Sequence, residues 1–214
     1  MAQSKRNLPR RYWDRLFAPS SCLAIISTVD RLERVNAAAY GTCTRVNHEP
    51  VYIAFTANVG SDTVRNVTDV GEFVVNLPRF DAKSLEAVRV VGLPFAAGVS
   101  ELEKAGLTAL PATLLKPPRI VECPRHFECK VEWTKEWAGR LMIVGEVLAA
   151  SADVDCVDEQ GYVLWDRVRS AHYCGAPYGG KFVAAYQTVT VGVPYEGPEV
   201  AEFHARERAM FKEP

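Results

Sequence analysis

The sequence predicts a mainly β fold, an antiparallel barrel or sandwich with helices at its periphery. Three observations carry this reading. Strand candidates outnumber helix candidates. The strands come in runs instead of alternating with helices, which argues against a doubly wound parallel sheet. No internal repeat, low-complexity tract or linker interrupts the 214 residues, a length that suits one domain.

Residues 1–21 read as an N-terminal arm with at most a short helix. Tyr12, Trp13, Leu16 and Phe17 would form its apolar stripe, and Pro19 its stop. The run Cys22–Val29, CLAIISTV, is apolar and rich in β-branched residues, hence a strand. Val35–Thr44 and Val51–Phe55 follow closely enough to complete an antiparallel meander. Ser61 and Asp62 are good caps for a helix over Thr63–Asp69 that stops at Gly71. Glu72–Leu77 reads as a strand. Asp81–Val91 is an amphipathic helix with Leu85, Val88 and Val91 near one face, and Glu101–Ala105 is a short helix ended by Gly106.

Prolines 111, 117 and 118 make residues 107–118 irregular, and Arg119–Val121 is a short strand candidate. From His126 to Trp137 the pattern alternates. Phe127, Cys129, Val131 and Trp133 would face inward, and Glu128, Lys130, Glu132 and Thr134 would face water. Leu141–Ala150 is the hairpin partner across Gly139. Phe182–Val191 is a last strand candidate. Glu199–Phe211 reads as a charged terminal helix with Val200, Phe203, Ala209 and Met210 as its docking side. The body of the fold is thus 22–192, with a helical tail over 193–214.

Hydrophobic content of 48% and a formal net charge of −1 are ordinary for a globular protein. They give no electrostatic case for nucleic acid or an anionic membrane as main partner. No apolar run approaches the roughly 18 residues of a membrane span. The basic N-terminus lacks the apolar centre of a secretory signal. Six scattered cysteines with no CxxC pair read as reduced thiols in a cytoplasmic protein, mostly small core residues. No metal site is expected, Cys123 and Cys129 included, and Trp133 and Trp137 are expected to pack.

No nucleophile, zinc-protease, dinucleotide or phosphate-loop motif is present. The glycine-rich PYGGK of residues 177–181 lacks a strand-to-helix setting and reads as a turn. Asn36–Asn76 is more informative, because small residues, hydroxyls and amides flank a short β core. A helix starting at Ser61–Asp62–Thr63 offers free backbone N–H groups that can hold a phosphate, with Arg65 as a charged donor. Ordinary capping by Ser61 or Asp62 is the alternative. Asn36–Thr44 either marks a tight barrel corner or exposes backbone to a flat heterocycle. His172 and Tyr173 are candidate site residues, Tyr by stacking on an aromatic ligand and His by donating a hydrogen bond or proton, or else a surface or packed pair.

In order along the chain stand STVD, Asn36, Tyr40, Pro50, DTVRN, GEFVVNLP, ELEKAGLT, PPRIVECPRHFEC, IVGEV and DRVRSAHY. Together, from Cys22 to Tyr173, they resemble the flavin reductase-like, FMN-binding split-barrel family, which includes flavoredoxins and flavin:NAD(P)H oxidoreductases. The resemblance implies a split antiparallel β-barrel, a homodimer, bound FMN and hydride transfer from NAD(P)H to flavin. It further implies that Asn36 and the backbone of Ala38, Ala39, Tyr40, Gly41, Thr42 and Cys43 line the flavin. Ser61, Asp62, Thr63 and Asn66 would lie at its phosphate or ribityl end. A partner monooxygenase or other acceptor would take the electrons. A flavoredoxin-like carrier without a nicotinamide site, and an FMN enzyme acting on an organic substrate, are the alternatives. Three residues depart from the pattern. Gly41 and Asn47 stand where serine is common, and Ser61 where a basic residue often precedes the DT pair. Arg65, Arg45 or a residue of a second subunit would then supply the charge.

Overall fold

Strand β1 (Cys22–Val29) is buried along almost its whole length, which explains why its sequence is continuously apolar. One face looks into a barrel and the other lies under helices. The computed structural model describes residues 5–210 other than 11–12, 17, 20, 97–98, 176–177 and 192–196. Tyr12, Phe17, Pro177 and Phe211 therefore lie outside the described residues, as do the side chains of Ala209 and Met210.

Six antiparallel strands close the barrel in the order β1, β2 (Val35–His48), β3 (Val51–Asn58), β8 (Arg140–Ala152), β7 (Arg125–Trp137) and β4 (Glu72–Leu77), with β4 pairing back onto β1. The short strands β9 (Ala171–Tyr173) and β10 (Phe182–Ala184) extend from β1 at Cys22↔His172. Strands β5 (Ala109–Leu110) and β6 (Arg119–Ile120) pair separately. The expected barrel with peripheral helices is what forms. The last strand is shorter than Phe182–Val191.

Ile26, Phe55, Phe73, Val75 and Ile143 fill the barrel, and Val64 and Val67 of helix α2 (Asp62–Val70) join them. Phe55 and Phe73 meet edge to face with centroids 5.2 Å apart. A second core lies outside β1, where Val88 and Val91 of α3 (Ala82–Val91) and Leu102 of α4 (Glu101–Ala105) cover Leu23 and Ile25. Helix α1 is Trp13–Leu16, α5 is Trp165–Val168 and α6 is Pro198–Met210. Phe203 of α6 is 52% exposed, so the expected docking side is not buried there.

Local chemistry explains the boundaries. Ser61 caps α2 by accepting from Val64 N–H, and Gly71 ends it with φ 77°. Ala138 (φ 47°) and Gly139 (φ 73°) form the two-residue turn of the β7–β8 hairpin. Five of the six free cysteines are buried and Cys22 is exposed. Cys123 belongs to the outer core and Cys129 to the barrel core, so they share no site. Burial holds both thiols above their ordinary pKa. No helix among the described residues is long and apolar enough to cross a membrane.

Two expectations are corrected. Trp133 and Trp137 do not pack, and are 47% and 44% exposed on the hairpin's far half. Glu128, expected to face water, is 2% exposed. The irregular segment before β6 crosses over it, and its carboxylate accepts from Thr113 N–H (2.7 Å) and Leu114 N–H (2.8 Å). Burial alone would raise the Glu128 pKa. The N–H donors, the Thr113 side chain and nearby Arg119 together outweigh it, and the carboxyl titrates below its ordinary value. A depressed carboxyl stabilises the fold above its unfolded pKa, and that contribution fades as pH falls through the folded pKa. Glu128→Gln is expected to cost about 1–3 kcal/mol at pH 7 and to flatten the loss of stability on acidification. Urea unfolding between neutral and acid pH checks this. Parallel profiles for the two proteins would count against it.

Candidate functional site

Strand β2 makes the site because it pairs with two neighbours in turn. Its first part runs against β1 through Ala24↔Tyr40 to Cys22↔Cys43, with a bulge over Gly41 and Thr42, and its last part against β3 from Thr44↔Ala54 onward. At the bulge the Thr42 hydroxyl reaches across to β3. Thr42 Oγ1 accepts from Thr56 N–H (3.1 Å) and donates to the Thr56 carbonyl (3.3 Å). A cavity of about 610 Å³ opens over the small residues of β2 at this bulge.

The cavity has two chemically different ends. One carries Thr42, Thr56, Asn58, Ser61 and Arg140, a set of hydroxyls, an amide and a guanidinium. Arg140 Nη1 donates to Asn58 Oδ1 at 2.9 Å, because β8 pairs with β3 at Asn58↔Arg140. Ser61 brings the N-terminus of α2 to the same end, adding partial positive charge. The other end is walled by Ala38, Ala39, Gly41, Gly92 and Tyr173. Tyr40 stands between them, stacked edge to face on Phe55 at 4.9 Å. Burial raises its phenol pKa against the opposing pull of the Thr63 and Ser61 hydroxyls.

Gly41 has a specific steric reason. A Cβ there would lie 3.1 Å from Tyr173 Cδ1 and 3.3 Å from its Cβ. The ring of Tyr173 occupies the space that a serine side chain would need.

The expected site residues divide. Ala38, Ala39, Tyr40, Gly41, Thr42, Ser61 and Tyr173 line this cavity together. Asn36, Asp62 and Asn66 line a separate one of about 420 Å³, which also carries Asp30, Asp69 and Glu101. Cys43 and Thr63 line neither. Cys43 is 3% exposed in the barrel core, where burial pushes its thiol up to about 12, and Thr63 is 1% exposed. Thr63 instead accepts from Asn36 Nδ2 at 3.2 Å, while Asn66 Nδ2 donates to Thr28 Oγ1 at 2.9 Å. These amides tie α2 to the barrel. His172 also lines neither of these two cavities, and its Nδ1 donates to the Ser21 carbonyl at 2.6 Å. Arg65 ion-pairs with Asp62 and donates to the Gly60 carbonyl, and it lines the carboxylate-rich cavity.

Arg140, Asn58 and Thr56 were missed from sequence. Asn58 had a usable signal, a polar residue between a strand and a helix N-terminus. Arg140 had none, since only the β3–β8 register brings it across.

The sequence pattern of flavin reductase-like domains matches residues 19–173. The chain belongs to the flavin reductase-like family. An uncharacterized protein of Aquifex aeolicus is 32% identical over 158 residues, covering 72% of this chain and 80% of that one. Two solved structures show how this flavin reductase-like chain shares its fold. The 2-nitrobenzoate 2-nitroreductase NbaA of Pseudomonas fluorescens superimposes with TM-score 0.75 at 23% identity, covering 92% and 98% of the two chains. Flavoredoxin of Desulfovibrio vulgaris (Miyazaki F) gives 0.73 at 20% identity, covering 91% and 98%. The closed six-strand barrel with its added strands is the family's split barrel.

Proposed function

We propose that the protein binds FMN in the 610 Å³ cavity and transfers hydride from NAD(P)H to flavin. The two-ended character of that cavity carries the reading. A phosphate finds hydroxyls, an amide, a helix N-terminus and a guanidinium at Thr42, Thr56, Asn58, Ser61 and Arg140. A flat ring system finds the side of β2 from Ala38 to Gly41, where small residues let it approach the backbone. When bound, the flavin supplies the redox chemistry, and the protein binds, orients and tunes it.

The chain's own residues then have definite work. Tyr40, its phenol beside the Thr63 and Ser61 hydroxyls, braces the start of α2 against β2 between the two ends of the cavity. Tyr173 shapes the ring end, on the side where a nicotinamide would approach. His172 acts through Tyr173 and β9 as a positioning residue, anchored on Ser21. Asn36, Thr63 and Asn66 support the site by holding α2 in place. The cavity that Asn36, Asp62 and Asn66 line sets Asp30, Asp62, Asp69 and Glu101 against Arg34 and Arg65, a net negative lining that suits a phosphate poorly.

The reading includes a homodimer in the cytoplasm, with a second copy of the chain on the exposed strip of Trp133 and Trp137. A sedimentation mass of one chain would remove the dimer from it. The reduced flavin passes to a partner monooxygenase or another acceptor.

Anaerobic addition of NADH or NADPH to the FMN-loaded protein tests the reaction. Bleaching of the flavin band is the expected result. Bleaching with dithionite alone would make the protein a flavoredoxin-like carrier. A protein that takes up no FMN would end both readings.

A further inference from the structure

A smaller compartment of about 250 Å³ shares a wall with the 610 Å³ cavity. Ala39, Tyr40, Gly41, Gly92, Leu93 and Tyr173 border both. Beyond that wall the lining is Leu23, Val88 and Phe182, with a single charged side chain, Arg89. Tyr173 and Phe182 stand with ring centroids 5.4 Å apart and planes at 42°. The compartment thus combines apolar and aromatic walls with one cation. No carboxylate among the described residues lines it.

Arg89 is held there between helix α3 and the glycine-rich turn. It lies in the last turn of α3. Among the described residues it makes no hydrogen bond or ion pair. Its guanidinium packs against Gly180, where a Cβ would come within 2.7 Å of Nη1 and 2.9 Å of Cζ. Gly179 (φ 59°) and Gly180 (φ 79°) both adopt left-handed backbone, which lets the turn pass that closely. Two residues later the same turn delivers Phe182 to the compartment. The turn therefore sets both the cation and an aromatic wall.

We propose that this compartment binds a one-ring organic carboxylate beside the flavin cavity. The ring packs among Tyr173, Phe182 and Leu93, and the carboxylate pairs with the fork of Arg89. Size selects the class. Pockets for drug-sized ligands run from roughly 300 to 1,000 Å³, so this one suits a single ring and excludes a dinucleotide. Charge selects within it, because a guanidinium with no acid paired to it among the described residues favours a bidentate anion. Its place next to the redox centre rests on the FMN reading above. The binding does not.

Calorimetric titration of the full chain, flavin-free and FMN-saturated, with benzoate and with neutral benzamide tests the assignment. Benzoate is expected to bind about tenfold or more tighter than benzamide, in both states of the protein. Arg89→Ala should erase that preference and leave the melting temperature unchanged, since the side chain is exposed. Gly180→Ala, which displaces the guanidinium, should weaken benzoate and spare benzamide. Equal affinity for the two probes, a preference that survives Arg89→Ala, or loss of benzoate binding on FMN saturation would each overturn the proposal. Failure of the FMN reading shows differently, as no FMN uptake with benzoate binding intact.

Discussion

Valine in place of Gly145 is expected to destabilise the barrel by at least about 3 kcal/mol, the upper range for forcing atoms into a packed core. Gly145 sits in β8 between Ile53 of β3 and Val131 of β7. A Cβ there would lie 2.6 Å from both Cε1 and Cζ of Phe73 and 3.0 Å from the Lys130 carbonyl. Neither neighbour can yield easily. Phe73 is fully buried and locked edge to face on Phe55. The Lys130 carbonyl belongs to the adjoining strand. For a chain of this size such a loss lowers the melting temperature by roughly 6–12 °C. The mechanism makes a second demand. Phe73→Leu vacates the ring's edge at its own cost, and Gly145→Ala should be milder in that background than in the natural one. Additive effects in a double-mutant cycle would show that the ring is not what excludes the side chain.

Gly145 also shows what a sequence exposes and what it hides. The pattern IVGEV marks a strand, and a glycine within it marks a close approach. It cannot name the partner, because Phe73 arrives from β4 only after the barrel closes. The same limit recurs at Glu128. Alternation assigns a polar residue to the water side, and only the crossing of Thr113 and Leu114 supplies the donors that make its burial tolerable. By contrast CLAIISTV, the caps at Ser61 and Gly71 and the turn at Gly139 are local, and the sequence was enough to place them. The candidate site was legible along β2 for a similar reason. Small residues in a row are a local signal, and Ala38–Thr42 do line the cavity. The DTVRN segment misled about contact, because Thr63 and Asn66 spend their polar groups on Asn36 and Thr28. Gly41 reads as a lost hydroxyl only until Tyr173 is seen resting on it.

Arg140→Ala is expected to weaken FMN binding by about ten- to thirtyfold, the low end of a charge-assisted hydrogen bond because the residue is exposed and screened. The prediction turns on which arginine faces the phosphate. Arg65 was the natural candidate from sequence, being in the first turn of α2. In the structure it is paired with Asp62, bonded to the Gly60 carbonyl and directed to the carboxylate-rich cavity. Arg140 is anchored on Asn58 and stands with Thr42, Thr56 and Ser61 on the FMN-sized cavity. Fluorescence titration with FMN and with riboflavin separates a phosphate contact from a general disturbance. Riboflavin lacks the phosphate, so its affinity should be the same in the natural protein and in Arg140→Ala. Arg140→Lys should retain part of the FMN affinity, since a point charge remains while the fork is lost. Raising the salt concentration should narrow the gap between the natural protein and Arg140→Ala, because the contact is made near solvent. Arg65→Ala should leave FMN affinity unchanged. An equal loss of FMN and riboflavin on Arg140→Ala, or a larger loss of FMN on Arg65→Ala, would move the phosphate away from the Asn58–Arg140 end and with it the orientation of the whole cofactor.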